Sequence, residues 1–496
     1  MMGRLVLLSA MVSAIGCANG TWTVGLPDDG PLPAGSVPNG VVLVTGPASW
    51  QEAAQQTTMA WDELVPDGVS FDSAALQEVR GAHPMMSQTP PTWEGAVLRP
   101  GHVALEVSPA GLHLDIDATL EPVTVSLEQD GMPACDVEVA ILEGRLQGTL
   151  ALTQTKLGVV NLSPLSDATF REGDAEVTIS TCHDDFLALG GTPHGPEELA
   201  LGALASAAFD ALAPSLASAL PARLGLNLAG AMTQTHDDGG LGTGSQHTVI
   251  RAPMDGPTLW WQLASGRLVV PYSVGVSLEP HPCAPAATLP VALSAAVPTV
   301  DSEWSLFVNQ GLVARQLTAL WSAGGLCGDR LAGEATWTAS EWHESWAGLA
   351  AMDPSMSLSV RAWPGSAPSF SFEAGADGEG VHLAVEAGEW DIELMGWRDG
   401  ARVRLVTLRA AIAMGAAVTI EDEGTVWLTP GDVSVALLEG EPGLLSLPTE
   451  SASVQMVEAI VREVVESSPL RGMLSLPVGL QPVIELHGAY LVIRDT

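Results

Sequence analysis

The sequence predicts an α+β chain in which long antiparallel sheets each wrap a long helix. Three observations predict it. The first is Glu303 to Cys327, EWSLFVNQGLVARQLTALWSAGGLC, where Leu306, Val313, Leu317 and Leu320 recur at helical spacing while Gln310, Arg315 and Gln316 fall elsewhere. The second is the strand-like series behind it: SLSVRAW from Ser357, SFSFEA from Ser369, GVHLAVEAG from Gly380 and WDIELMGW from Trp390. The third is that the order helix, sheet, helix, strand occurs twice. Gly111-Leu112-His113-Leu114-Asp115-Ile116 in the first half is echoed by Gly380-Val381-His382-Leu383-Ala384-Val385 in the second, which predicts a duplicated fold.

Taken in order, residues 18 to about 48 carry Gly, Pro and Asp without periodicity and read as a tether ending in an entry strand at Val41. Ser49 is placed to cap a helix that continues to about Leu64. Alternating strands begin at His102, with Val103, Leu105 and Val107 on one face, and Leu112, Leu114 and Ile116 on one face after the turn at Pro109-Ala110-Gly111. AEVTISTC from Ala175 is the last strand before a second helix, from Pro196 to about Leu220. Its stripe is Leu201, Leu204, Ala208 and Leu212, and Pro214 is expected to kink it. Further strands lead to the Glu303 helix, which Gly324-Gly325 should stop. A last helix, SASVQMVEAIVREVVES from Ser451, presents Val454, Val457, Val461 and Val465 before a closing strand that ends at Ile493.

Charge excludes one class of partner. With 58 acidic against 19 basic residues, a net charge of −39, the surface repels phosphate backbones, so no nucleic-acid binding is expected. The N-terminus adds an address. Arg4 precedes an apolar run from Leu5 to Ile15 that is too short to span a bilayer, and Ala14-Ile15-Gly16-Cys17 resembles the lipobox of bacterial lipoproteins. That resemblance implies that Cys17 is diacylated, with palmitate-type chains, and becomes the first mature residue. Ala14 departs from the usual leucine. Ala18 in the next position favours sorting to the outer membrane, facing the periplasm or the cell surface.

Export places the other cysteines in an oxidising compartment, and four remain once Cys17 is set aside. Three pairings are open to them. Cys135 with Cys182 and Cys283 with Cys327 keeps each bridge within one half of the chain.

Candidate chemistry is thin. His183-Asp184-Asp185 and His236-Asp237-Asp238 lie in turn-rich stretches without a third ligand at fixed spacing. Gly240 to Gly244 is a glycine run with no following helix, and Ser245 near His247 lacks a strand-to-helix elbow. Asp422 and its neighbours do not repeat at calcium-ligand spacing. Trp260-Trp261, Trp337, Trp342 and Trp346 suit groove packing or a membrane interface. The expectation is a protein that is not an enzyme, with no cofactor and no metal.

The segment LFVNQGLVARQLTALWSAGGL at Leu306, the strand GVHLAVEAG at Gly380 and the closing PLRGMLSLPVGLQPVIELHGAYLVIRD from Pro469 resemble the family of bactericidal/permeability-increasing protein, lipopolysaccharide-binding protein and the plasma lipid-transfer proteins. The match is best over residues 300 to 496. The resemblance implies a boomerang of two tubular barrels, each a highly curved antiparallel sheet around a long helix, joined by a central sheet. On that plan residues 1–17 are the leader, 18–48 the tether and entry strand, 49–250 one tubular domain, 251–300 the bridge and 301–496 the other. The family's first domain carries one disulfide, which Cys135 and Cys182 are placed to supply. The cationic tip with which the founding members bind lipopolysaccharide has no counterpart here, since no basic cluster stands out along the chain.

Acyl chains need length and apolar walls more than polar anchors, because each buried methylene gains about 0.8 kcal/mol. The walls would be Leu201, Leu204, Ala208, Leu212, Leu306, Val313, Leu317, Leu320, Val454, Val457, Val461 and Val465. Two readings compete: a membrane-tethered carrier of phospholipid or another acyl-chain lipid, and a surface lipoprotein that uses the same fold without a ligand, with a protein partner unknown. A pocket continuous enough for an acyl chain separates them.

Overall fold

A computed structural model describes residues 21–25, 32–73, 91–108, 111–127, 135–154, 159–165, 168–171, 175–179, 196–224, 226, 228–237, 242–252, 267–284, 287–292, 302–324, 337–342, 346–375, 380–398, 401–420, 425–467, 472–473 and 482–495. The fold is α+β and mostly antiparallel sheet. The chain enters through β1 (Thr21–Gly25) and β2 (Val37–Thr45), then forms α1 (Pro47–Met59). An N-terminal sheet follows, β3 (Val69–Phe71), β4 (Ala96–Ser108), β5 (Gly111–Leu127), β6 (Cys135–Gln154) and β7 (Val160–Pro164), with β8 (Thr169–Phe170) and β9 (Glu176–Ile179) paired to β6. After α2 (Pro196–Arg223) come β10 (Gly230–Asp237), β11 (Thr243–Arg251) and β12 (Leu268–Glu279).

The second pass repeats the first: β13 (Trp304–Asn309), then α3 (Gln310–Ser322), then a sheet. That sheet holds β14 (Trp337–Thr338), β15 (Ser357–Pro364), β16 (Ser369–Ala374), β17 (Val381–Arg398), β18 (Ala401–Ile420) and β19 (Thr425–Pro442). The chain closes with α4 (Glu450–Ser467), β20 (Gly472–Met473), β21 (Pro482–His487) and β22 (Tyr490–Asp495), with β20 joining the edge of the C-terminal sheet beside β19. The echoed hexapeptides occupy matching places, Gly111 opening β5 and Gly380 leading into β17. Both take positive φ, 149° and 78°. At Gly111 a side chain would also run into the Leu150 carbonyl, so glycine is required there twice over.

A third sheet draws on both halves, in the order β1-β10-β11-β12-β2-β13-β22-β21. At its middle β2 and β13 run antiparallel, Leu43 opposite Leu306 and Val42 opposite Phe307. Both faces are buried here. Val42, Phe307, Tyr490 and Val492 form a small cluster on one side, with the Phe307 and Tyr490 rings edge to face at 6.1 Å, while Leu43, Leu306, Val308 and Ile493 join the main core on the other.

Several expectations change. Glu303 to Cys327 is not one helix, since Trp304 to Asn309 forms strand β13 and Leu306 therefore lies on a strand. All six of those residues are buried between β2 and β22, a place that favours the β-branched and aromatic run Trp-Ser-Leu-Phe-Val. Asn309 then starts α3, its side-chain oxygen accepting from Leu312 N at 3.2 Å. Gly324, just past the end, has φ 88°.

Ser49 does not cap α1. The helix begins at Pro47, and the Glu303 carboxylate, 255 residues away in sequence, accepts from Ala48 N at 3.0 Å, while the Ser49 hydroxyl donates to the Glu303 carbonyl. α2 is a single helix with Pro214 and Pro221 inside it, and burial of Leu212, Ala213 and Leu216 compensates for the lost backbone donor. His236 and Asp237 end strand β10 rather than sitting in a turn. Finally, the described strands pair as open antiparallel sheets rather than closed barrels.

Candidate functional site

The apolar faces of the two outer sheets are the places where an acyl chain would lie, and their helices cover them differently. In the N-terminal half α2 packs against β3, β6, β7 and β8. Leu204, Ala208 and Leu212 are fully buried and Leu201 half-buried. The helix is rich in alanine, which lets it approach closely. A Cβ at Gly148 of β6 would stand 2.5 Å from the Phe209 ring. Beneath them Leu112, Leu114, Ile116, Leu146 and Leu150 are fully buried. This face is filled by the protein's own side chains.

In the C-terminal half α4 lies on β19. Met456, Val457 and Ile460 are buried against Leu408, Ile412 and Leu394. Around them the apolar wall stays partly open. Val435, Leu437 and Val461 pack on this core but are only half-buried, as are Val433 and Val454. Leu438 is 50% exposed where the β18–β19 register slips between Arg409 and Ala410. The Val465 side chain lies outside the described residues.

The twelve predicted wall residues therefore do not line one place. Leu204, Ala208, Leu212, Leu306, Val313, Leu317 and Leu320 belong to a single core shared by the N-terminal sheet, the central sheet and α3, whereas Val457 and Val461 belong to a separate C-terminal core.

α3 is buried on more than its apolar stripe, and this was not legible in its spacing. Gln316 is fully buried and bonds both Gln246 and Thr248 of β11, with Gln316 Nε2 donating to Thr248 Oγ1 at 3.0 Å. Arg315 is buried too. Its guanidinium donates to the carbonyls of Pro290, Ala34 and Val276, at 3.3, 3.2 and 3.4 Å, and burial lowers its pKa from the usual arginine value. Tyr272, fully buried on β12, donates to the Leu226 carbonyl at 2.8 Å, and burial pushes its phenol well above the usual value. These contacts join segments dozens to hundreds of residues apart.

Two clefts open on the outer faces. One, of about 230 Å³, is lined by Trp363, Asp391, Glu393, Arg404, Arg409 and Glu439. Arg409 Nε donates to Asp391 Oδ1 at 2.8 Å, which holds the guanidinium pKa above its usual value. The other, of about 560 Å³, lies over the bulges of β4 to β6 between Arg99, Asp117 and Arg145. The first is walled largely by charged groups and suits no acyl chain. Ser245 Oγ donates to Glu279 and Thr233 Oγ1 meets His247 Nδ1 at 2.8 Å, so these two strand residues are engaged separately. No group of three His, Cys, Asp or Glu is placed to hold a metal among the described residues.

Cys135 and Cys283 each take part in a disulfide whose partner lies outside the described residues. Cys17, Cys182, Cys327, His183 to Asp185, Asp238, Gly240, Asp422 and Trp260-Trp261 lie outside the described residues.

No protein-family model and no curated protein matches the chain. Solved structures do. The chain is similar to a lipopolysaccharide binding protein. The crystal structure of that protein overlays with a TM-score of 0.40 and 15% identity, covering 92% of this chain and 98% of the other. P47 from Clostridium botulinum A2 overlays with a TM-score of 0.25 and 11% identity, covering 93% and 99%. Both likenesses are distant.

Proposed function

We propose that this chain is a membrane-tethered lipoprotein that binds, and passes on, acyl-chain lipid without catalysis. The carrying observation is the half-open apolar wall beneath α4, where Val433, Val435, Leu437, Val454 and Val461 stay partly accessible around a dry core. Aliphatic side chains left half-open beside a packed core gain by burial under a hydrocarbon chain, at about 25 cal/mol per Å² covered. Cys17 would supply the anchor to a bacterial outer membrane, and the bridges Cys135–Cys182 and Cys283–Cys327 would staple each half. The sequence resemblance to the lipid-transfer family supports the same reading.

The tightly filled N-terminal half favours the second reading, a surface lipoprotein that uses this fold for interaction and holds no ligand. Native mass spectrometry of the chain purified from a periplasm without detergent, followed by lipid extraction, decides between them. Stoichiometric acyl-lipid adducts support the carrier. A protein that is empty and takes up no added phospholipid overturns it.

A further inference from the structure

Two bulges flank β5 at one level. Between β4 and β5 the register passes from Pro100 opposite Ala118 to Val103 opposite Ile116, so Gly101 and His102 face Asp117 alone. Between β5 and β6 it passes from Ala118 opposite Gly144 to Leu120 opposite Ile141, so Leu142 and Glu143 face Thr119 alone. The backbone groups that the first bulge frees are fixed from the core side. Val103 N donates to Thr58 Oγ1 of α1 at 3.0 Å, and the Gly101 carbonyl accepts from the indole of buried Trp61. The second bulge interrupts the alternation of β6, keeping Ile141 buried and leaving Leu142 67% exposed. Over this pair opens the cleft of about 560 Å³, within the size range of small-molecule sites.

We propose that this cleft binds a small cationic amphiphile, an ammonium group carried on an apolar body. Leu142 and Pro100 supply apolar wall. A Cβ at Gly101 would stand 3.4 Å from Asp117 Cβ, so glycine leaves room beside that carboxylate. Charge selects the head group. Around the cleft, Asp115, Asp117, Glu121 and Glu143 stand against Arg99 and Arg145, an excess of negative charge. Arg99 is taken by Glu121 at 3.0 Å, while Arg145 reaches Asp115 and Asp117 only at 3.5 and 3.4 Å. Asp115 Oδ1 is buried with no hydrogen-bond partner among the described residues, and exposed Glu143 joins none of these ion pairs. The net charge of −39 draws cations to the surface and turns anions away, so the same field favours an ammonium over a carboxylate or phosphate. The site lies on a different sheet from the α4 wall and stands whether or not acyl lipid binds there.

Isothermal titration calorimetry of the full chain tests it with octylammonium, octanol and octanoate, which share one apolar body and differ in head group. Work at about 0.15 M ionic strength screens the general pull of the acidic surface beyond about 8 Å. Octylammonium is expected to bind at a single site, about tenfold or more tighter than octanol or octanoate. Gly101→Val, which fills the cleft, should abolish that binding. Gly101 lies on a strand without positive φ, so valine suits its backbone. Glu143→Gln and Leu142→Asn should each weaken octylammonium about threefold, the first by removing charge and the second by removing apolar wall. Equal affinity for octylammonium and octanol overturns the proposal, as does the lack of saturable octylammonium binding. Octylammonium binding that Gly101→Val leaves intact assigns the heat to the acidic surface at large and overturns it too. If Gly101→Val fails to fold, the two exposed variants decide, and an octylammonium affinity unchanged in both overturns the site.

Discussion

The N-terminal and C-terminal halves place the same parts in the same order and pack them to different depths. Over the N-terminal sheet, α2 presents alanines and Phe209 to a glycine, so helix and sheet nearly touch, and Leu204, Ala208 and Leu212 are fully buried. Over the C-terminal sheet, α4 presents valines and isoleucine to a strand whose Val433, Val435 and Leu437 stay partly open. Side-chain size at the helix–sheet contact, not element order, sets how completely the contact is buried. One duplicated plan thus yields two halves whose helix–sheet contacts are buried to different extents.

The largest effect that would break this contrast is Phe209→Ala. Opening the filled half should cost about 3–5 kcal/mol of stability, read as a drop in the denaturant midpoint at unchanged slope, and it should create apolar-probe uptake where wild type has none. A cost under about 1 kcal/mol would show that the N-terminal face is not closely packed. Gly148→Ala probes the same contact from below. The added methyl meets the Phe209 ring, and about 1–3 kcal/mol of overpacking is expected, measurable by thermal unfolding. A neutral result would mean that α2 lifts freely from its sheet.

Leu437→Ser sharpens the comparison from the other side. Stability should fall by about 1 kcal/mol because the residue is already half-wet, while the extracted acyl lipid per protein falls several-fold. Lipid content unchanged by Leu437→Ser would move the ligand away from α4.

The smallest effect concerns the closing hairpin. Glu485 accepts from Arg494, at 2.5 Å to Nη2, and from His487, and chiefly the Arg494 bonds hold its carboxyl below the usual range. A folded-state pKa depressed below the unfolded one stabilises fully above the unfolded value and stops doing so as pH falls through the folded value. The stability gap between wild type and Glu485→Gln should therefore be present at neutral pH and close below about pH 4. A gap that persists at about pH 2 would assign it to something other than this ion pair.

Much of the architecture was legible in the chain. Period-two alternation identified β4, β5, β15 and β17, and the valine stripe identified α4, because each pattern reports one buried face. The glycines of the echoed hexapeptides pointed to the repeat, since their positive φ is a local requirement that the sequence must meet locally. The errors share a cause. β13 was read as helix because Leu306 happened to fit the spacing of Val313 and Leu317, while its partners β2 and β22 lie about 260 residues before it and 180 after it. The burial of Arg315 and Gln316, which fall off the apolar stripe, was hidden for the same reason, since their carbonyl and side-chain partners come from β11, β12 and the segments around Ala34 and Pro290. Nor did spacing show that Val457 and Val461 belong to a different core from Leu204 and Leu317.

The sequence by itself determined the elements, their order, their duplication and the acidity of the surface, because propensity, periodicity and charge act over a few residues or over the whole composition. Tertiary structure alone decided how closely Phe209 of α2 meets Gly148 of its sheet, and that a glutamate from the second half caps a helix of the first. Those outcomes depend on atoms brought together from distant segments, and no local pattern records such distances.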